Sequence, residues 1–297
     1  MRRHMLIALT AVVLLPAPAG AWGFEAHKLI MDRAIDMLPA PMRPFFDANR
    51  VFLVEHVIDP DLWRTAGFTD EPPRHFLDMD AYGSYPFTAL PREYGAALEK
   101  YGIDTLNRNG LLPWRTAEMA GRLRRAFEDQ QKQGAYALND IKFFSSIIGH
   151  YVADAHPPLH AVLNYDGQLT GQHGLHYRWE GDLFVRYEKQ LSIQPPPLKT
   201  VVMPRDFIFE TLLEGSQLAK AVLDADREAI GNATVYDDRY FDAFFAKMKP
   251  MVERRLNGSI SAVASVIATA WEQAGRPALP INPARPPQRR RASRQQD

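Results

Sequence analysis

The sequence predicts an all-α protein, a single mostly helical domain. Apolar residues recur at helical spacing in one segment after another, and no stretch of useful length alternates as a half-buried strand would. Candidate capping residues stand at the head of several of these segments. With 297 residues, 46% of them hydrophobic, the chain can bury a sizeable core.

Residues 1–21 precede this domain. Arg2 and Arg3, an apolar run from Met5 to Leu15 and the small residues Ala19-Gly20-Ala21 read as a secretory signal peptide. Cleavage after Ala21 would start the mature chain at Trp22 and place it in a periplasm or outside the cell. The apolar run is too short to span a bilayer and no later run reaches about 18 residues, so no transmembrane segment is expected. Next, EAHKLIMDRAIDMLP sets Leu29, Ile30, Ala34, Ile35 and Leu38 at helical spacing, with His27 near the start of the helix. Residues 54–87 are rich in Pro, Gly and Asp and read as a loop holding Asp59, Asp61, His75, Asp78 and Asp80.

Leu112-Pro113-Trp114 opens an amphipathic helix to about Gln131, with Pro113 at a permitted first-turn position and Arg122, Arg124 and Arg125 on a solvated face. Asn139 and Asp140 are expected to cap a buried helix through FFSSIIGHYVAD, interrupted at Pro157-Pro158. Asp206 is expected to cap a helix to about Ile230, and Asp237 or Asp238 another to about Leu256 with a kink at Pro250. Ser259 is expected to start a last one that ends at Gly275. The helical domain thus covers 22–275, and the proline- and arginine-rich stretch 276–297 reads as a disordered tail.

The formal charge of zero is unevenly spread. Without Arg2, Arg3, the six arginines from Arg276 onward and Asp297, 27 basic side chains face 34 acidic ones, a body of −7. An anionic substrate suits such a body only if bound cations attract it. The absence of cysteine excludes disulfides and thiolate ligands.

The segment from His150 to Glu180 concentrates the chemistry. His150 and Asp154, and again His176 and Glu180, are four residues apart, so on helices each pair shares a face, and His160 lies between them. A buried helix must satisfy His150 and Asp154 internally, which a metal does. Imidazole with carboxylate suits zinc. No phosphate-binding glycine loop, nucleophile elbow or internal repeat competes.

Trp22-Gly23 followed by His27, then Asp61 and the run His75-Phe76-Leu77-Asp78, then His150 and Asp154 with Pro158-Leu159-His160, then His176 and Glu180, stand in a telling order. From Trp22 to about Leu183 the chain resembles the phospholipase C/P1 nuclease superfamily of secreted zinc-dependent phosphodiesterases. The resemblance implies three zinc ions. Asp61, His75, His150 and Asp154 would hold one; the amine and carbonyl of Trp22 with His27 and the bridging Asp154 its neighbour; His160, His176 and Glu180 the third. Asp61 is preferred to Asp59 because it precedes Leu62-Trp63-Arg64, similar to an Asp-x-x-Arg element of the nucleases. The expected reaction is attack on phosphorus by zinc-bound hydroxide, with Arg64 supporting the developing charge and Asp61 orienting the nucleophile. Single-stranded nucleic acid is the slightly favoured substrate. Phospholipid, cleaved as by a phospholipase C, is the alternative, and an exported zinc-binding helical protein without turnover is a third reading. No protein partner is predicted.

Overall fold

The computed structural model describes residues 23–281; the expected signal peptide, Trp22 and residues 282–297 lie outside the described residues. The first helix, α1 (Phe24–Met37), turns Ala26, His27, Ile30, Met31, Ala34 and Ile35 inward, the spacing of a single helix face. Three short helices follow: α2 (Arg43–Ala48), α3 (Arg50–His56) and α4 (Asp59–Thr65). Two 3₁₀ turns, Pro72–His75 and Met79–Tyr82, lead to α5 (Tyr94–Tyr101) and α6 (Ile103–Asn109). The long helices α7 (Leu112–Gln131) and α8 (Ala137–Asp154) pack against each other, and a 3₁₀ turn at Pro158–Ala161 ends that pair. After a loop come α9 (Leu175–Tyr177), a π-helical turn Arg178–Asp182 and α10 (Leu183–Tyr187). Finally α11 (Pro204–Ile230) and α12 (Asp238–Gln273) close the fold, with no strand among the described residues.

The centre of this arrangement is α8, which packs against α7, α12, α3 and α1. Every residue from Ser145 to Asp154 is buried, so polar groups on this stretch must find partners inside the protein. Gly149 makes the crowding possible. A Cβ there would stand 2.5 Å from Met31 Cε and 3.5 Å from Val57 Cγ2, so α1 and the end of α3 close onto α8 one residue before His150.

Several local expectations are corrected. The segment read as a loop contains α4, with Pro60 at its permitted first turn, so Asp61 is a helical residue. Asn139 and Asp140 do not cap α8: their own amides already donate to the Tyr136 carbonyl, and Tyr136 is the cap. Asp206 does not cap α11, which begins at Pro204 behind Met203; Asp206 sits in the first turn and accepts from Arg205 at 3.0 Å. The last two expected helices are one. α12 runs through Pro250 for 36 residues, with Asp237 as cap accepting from Tyr240 N. Pro250 lies on the exposed side, while Phe244, Phe245, Met248, Val252 and Leu256 hold the helix down on either side of it. Ser259 starts nothing; its hydroxyl donates back to the Arg255 carbonyl at 2.9 Å within the helix.

Residues 191–203 are extended and lie along α12. One polar stripe spaced every four residues grips their backbone: Asn257 Oδ1 accepts from Gln194 N, Ser261 Oγ donates to Pro197 O, and Ser265 Oγ and Thr269 Oγ1 accept from Lys199 N and Val201 N. The start of the expected tail is also docked, since Trp271 Nε1 donates to Pro277 O and Gln130 Nε2 to Ala278 O.

Candidate metal centre

Four elements bring one group together. α1 supplies His27, α4 supplies Asp61, the 3₁₀ turn Pro72–His75 supplies His75, and the last turn of α8 supplies His150 and Asp154; all five side chains are buried. His75 Nδ1 lies 2.9 Å and His150 Nε2 3.1 Å from Asp154 Oδ2, while His27 Nε2 lies 3.2 Å from Asp154 Oδ1. Asp154 therefore bridges two sides. Asp61 Oδ1 is 3.7 Å from His75 Nδ1 and 3.5 Å from Arg64 Nη2. Asp59 takes no part, because its carboxylate pairs with His56 Nδ1 at 2.9 Å.

Two of these histidines have an acceptor facing the outer nitrogen. His150 Nδ1 donates to the Val57 carbonyl at 3.0 Å, and His75 Nε2 faces Glu71 Oε1 at 3.6 Å. In neutral rings this leaves His150 Nε2 and His75 Nδ1 as lone pairs, 3.0 Å apart and both against a carboxylate. Such an arrangement repels itself without a cation in its midst. Metal-binding histidines are oriented in this way, with the far N–H held by a carbonyl or carboxylate. Neither oxygen of Asp61 makes a hydrogen bond although both are buried, a cost of several kcal/mol that a cation would remove. Charge follows the same logic. Burial opposes the charged form of Asp154, yet His150, His27 and His75 hold it well below the usual carboxylate range. Burial also pushes His150 down, whereas the hydrogen bond to Asp154 and that to Glu71 outweigh burial and raise His75.

A second group is built from His160, His176 and Glu180. His160, in the 3₁₀ turn after Pro157, donates Nδ1–H to the His75 carbonyl at 2.7 Å, which joins the two groups and turns Nε2 inward. His160 Nε2 lies 3.5 Å and His176 Nε2 3.1 Å from Glu180 Oε2. His176 is the most exposed of the three, so this group opens on its side. Desolvation would raise Glu180, but the two histidines hold it at about 2, and Glu180 in turn lifts His160 to about 9 against its own burial. In each group the ligand atoms of at least three residues lie within 4.8 Å of one another, close enough to bind a metal ion.

Trp22 lies outside the described residues. Its neighbour Gly23 is within them, and a Cβ on Gly23 would sit 3.4 Å from Gly181 Cα, beside Glu180. His156 stands apart from both groups: its Nδ1 donates to the Val152 carbonyl at 2.9 Å, and the residue lines a separate cavity of about 560 Å³ beneath residues 192–201. His173 offers only its backbone carbonyl, to Arg178.

Sequence reading missed Glu71, Tyr151, Asp166 and Arg178. Glu71 is buried, accepts from Tyr151 Oη and Arg74, and so backs His75. Asp166 accepts the amides of Gly174 and His176. Only Glu71, four residues before His75 in helical register, had a spacing that could have pointed to it.

The chain matches no protein-family model and no curated protein. No helix among the described residues is long and apolar enough to cross a membrane.

Proposed function

We propose that this chain is a zinc-dependent phosphodiesterase of the type it resembles, the phospholipase C/P1 nuclease superfamily. One observation supports this above the others: two histidine–carboxylate groups, joined by the His160–His75 contact, each bring nitrogen and oxygen ligand atoms of three residues within 4.8 Å of one another. Nitrogen and oxygen donors with no sulfur fit zinc better than calcium or magnesium, which favour all-oxygen shells. In this reading Asp61, His75, His150 and Asp154 hold one ion, the Trp22 amine and carbonyl with His27 and Asp154 a second, and His160, His176 and Glu180 a third. Zinc supplies Lewis acidity, lowering the pKa of water and neutralising phosphate. Asp61 sits at the edge of the first group and orients the attacking water, while Arg64, beside Asp61, supports charge on the phosphate. Asp154 meets His75 and His150 through one oxygen and His27 through the other, so one carboxylate would serve both ions.

For substrate we favour single-stranded nucleic acid. Tyr165 is exposed and stands edge-on to His176 with ring centroids 5.9 Å apart, where a base could stack. A phospholipid reading has its own support, because Leu163 and Leu169 on the same loop are also exposed. The test is turnover by the chain starting at Trp22 on single-stranded DNA and on phosphatidylcholine, with and without a chelator. Chelator-sensitive cleavage of DNA is expected; release of phosphocholine alone moves the substrate to lipid, and inactivity on both with zinc bound removes the enzymatic reading.

A further inference from the structure

His176 stands in the first turn of the helical stretch that begins at Leu175, directly after a loop, and a loop alone does not hold such a helix start to within a few tenths of an ångström. The structure supplies a brace. Arg178, two residues beyond His176 and two before Glu180, is buried and reaches backward: Nη1 donates to the His173 carbonyl at 2.7 Å and Nη2 to the Gln172 carbonyl at 3.1 Å. Its charge is met by Asp226 on α11, fully buried, whose Oδ1 lies 2.9 Å from Nη2. Asp226 also accepts from Gln172 Nε2 at 2.7 Å and from Tyr240 Oη at 2.5 Å. One carboxylate on a distant helix thus holds a residue on either side of His176.

We infer that Asp226 is a positioning residue for the His160–His176–Glu180 group, acting through Arg178 and Gln172 on the backbone from which His176 projects. Stability alone is a poor reason for the pair, since buried ion pairs are often no better than apolar side chains of the same volume. A planar guanidinium that joins two successive carbonyls to one carboxylate does impose a geometry. The loop is otherwise tied to itself by Asn164, Gln168 and Asp166, and to α11 at Gln172 through the Leu223 carbonyl and Arg227, so Asp226 is what ties Arg178, beyond His176, to the same helix.

The inference rests on the metal reading proposed above, and its test separates the two. Metal-free wild type and Asp226→Asn, both starting at Trp22, are titrated with zinc against a competing chelator, alone and in a His160→Ala background. Amide hydrogen exchange over residues 172–176 is followed in the metal-free chains. Asp226→Asn is expected to speed exchange there and to weaken zinc at the His160 group by about 10–100-fold, with no further loss once His160 is gone and with the His75–His150 group unchanged. Equal loss at both groups, or unchanged exchange, overturns it. Should Asp226→Asn fail to fold, Arg178→Lys keeps the charge and loses the fork, and the same selective loss is expected. Faster exchange over residues 172–176 in Asp226→Asn, with no zinc bound by wild type at either group, would end the metal reading and leave the brace standing.

Discussion

Each of the buried histidines has an inner and an outer nitrogen with different neighbours, and this decides what the groups do. In the metal-free chain the inner faces must be served by protons. His160, lifted to about 9, contributes stability that is fully present below its ordinary 6.5 and lost as pH rises through 9. Glu180, held at about 2, contributes stability present above its ordinary 4.5 and lost as pH falls through 2. The melting-temperature difference between metal-free wild type and Glu180→Gln is therefore expected to be largest between 4.5 and 6.5 and to close by about 9. A difference that instead grows above 6.5 would mean that His160 is not the partner. His156 works in the opposite direction: burial, and then Arg255, hold it down to about 3, so it penalises the folded state as pH falls below 6.5, equally in both chains.

At the level of elements, the helices that carry His27, His150 and Asp154 were legible because their apolar faces repeat at helical spacing and no competing strand pattern exists. Their ends were not. Asn139, Asp206 and Ser259 have the chemistry of caps, but a cap is chosen by which backbone amides lack partners, and Tyr136, Met203 and the continuity of α12 had already settled that. Pro250 misled in the same way, because a proline costs a helix one hydrogen bond but apolar burial on both sides keeps the helix intact. Pro250→Ala should restore the missing N–H on the exposed face and raise stability by about 2 kcal/mol, the interior proline penalty less the entropy that proline removes from the unfolded chain. Urea unfolding measures it; a loss of stability would mean that the proline is needed where it stands. α4 escaped because Pro60 and the flanking aspartates look like turn chemistry, although a proline in the first turn is equally at home in a helix.

Across the whole molecule, the residue types that could hold a metal and their order were visible in sequence, whereas the partners that orient them were not. His27, Asp61, His75, His150 and Asp154 come from four elements, and nothing in a linear spacing says that the Val57 carbonyl or Glu71 will hold the far nitrogens. Asp226 and Tyr240, on α11 and α12, are further still from the segment that they brace. The acidic body makes sense in the same frame, since bound cations would offset much of its −7 charge and draw an anionic substrate inward. Diffraction at the zinc absorption edge, from crystals of the chain starting at Trp22 grown with zinc, tests the central claim most directly. Anomalous peaks are expected among Asp61, His75, His150 and Asp154, between His27 and the other oxygen of Asp154, and among His160, His176 and Glu180. Zinc absent from both groups, with the side chains placed as described, would contradict it.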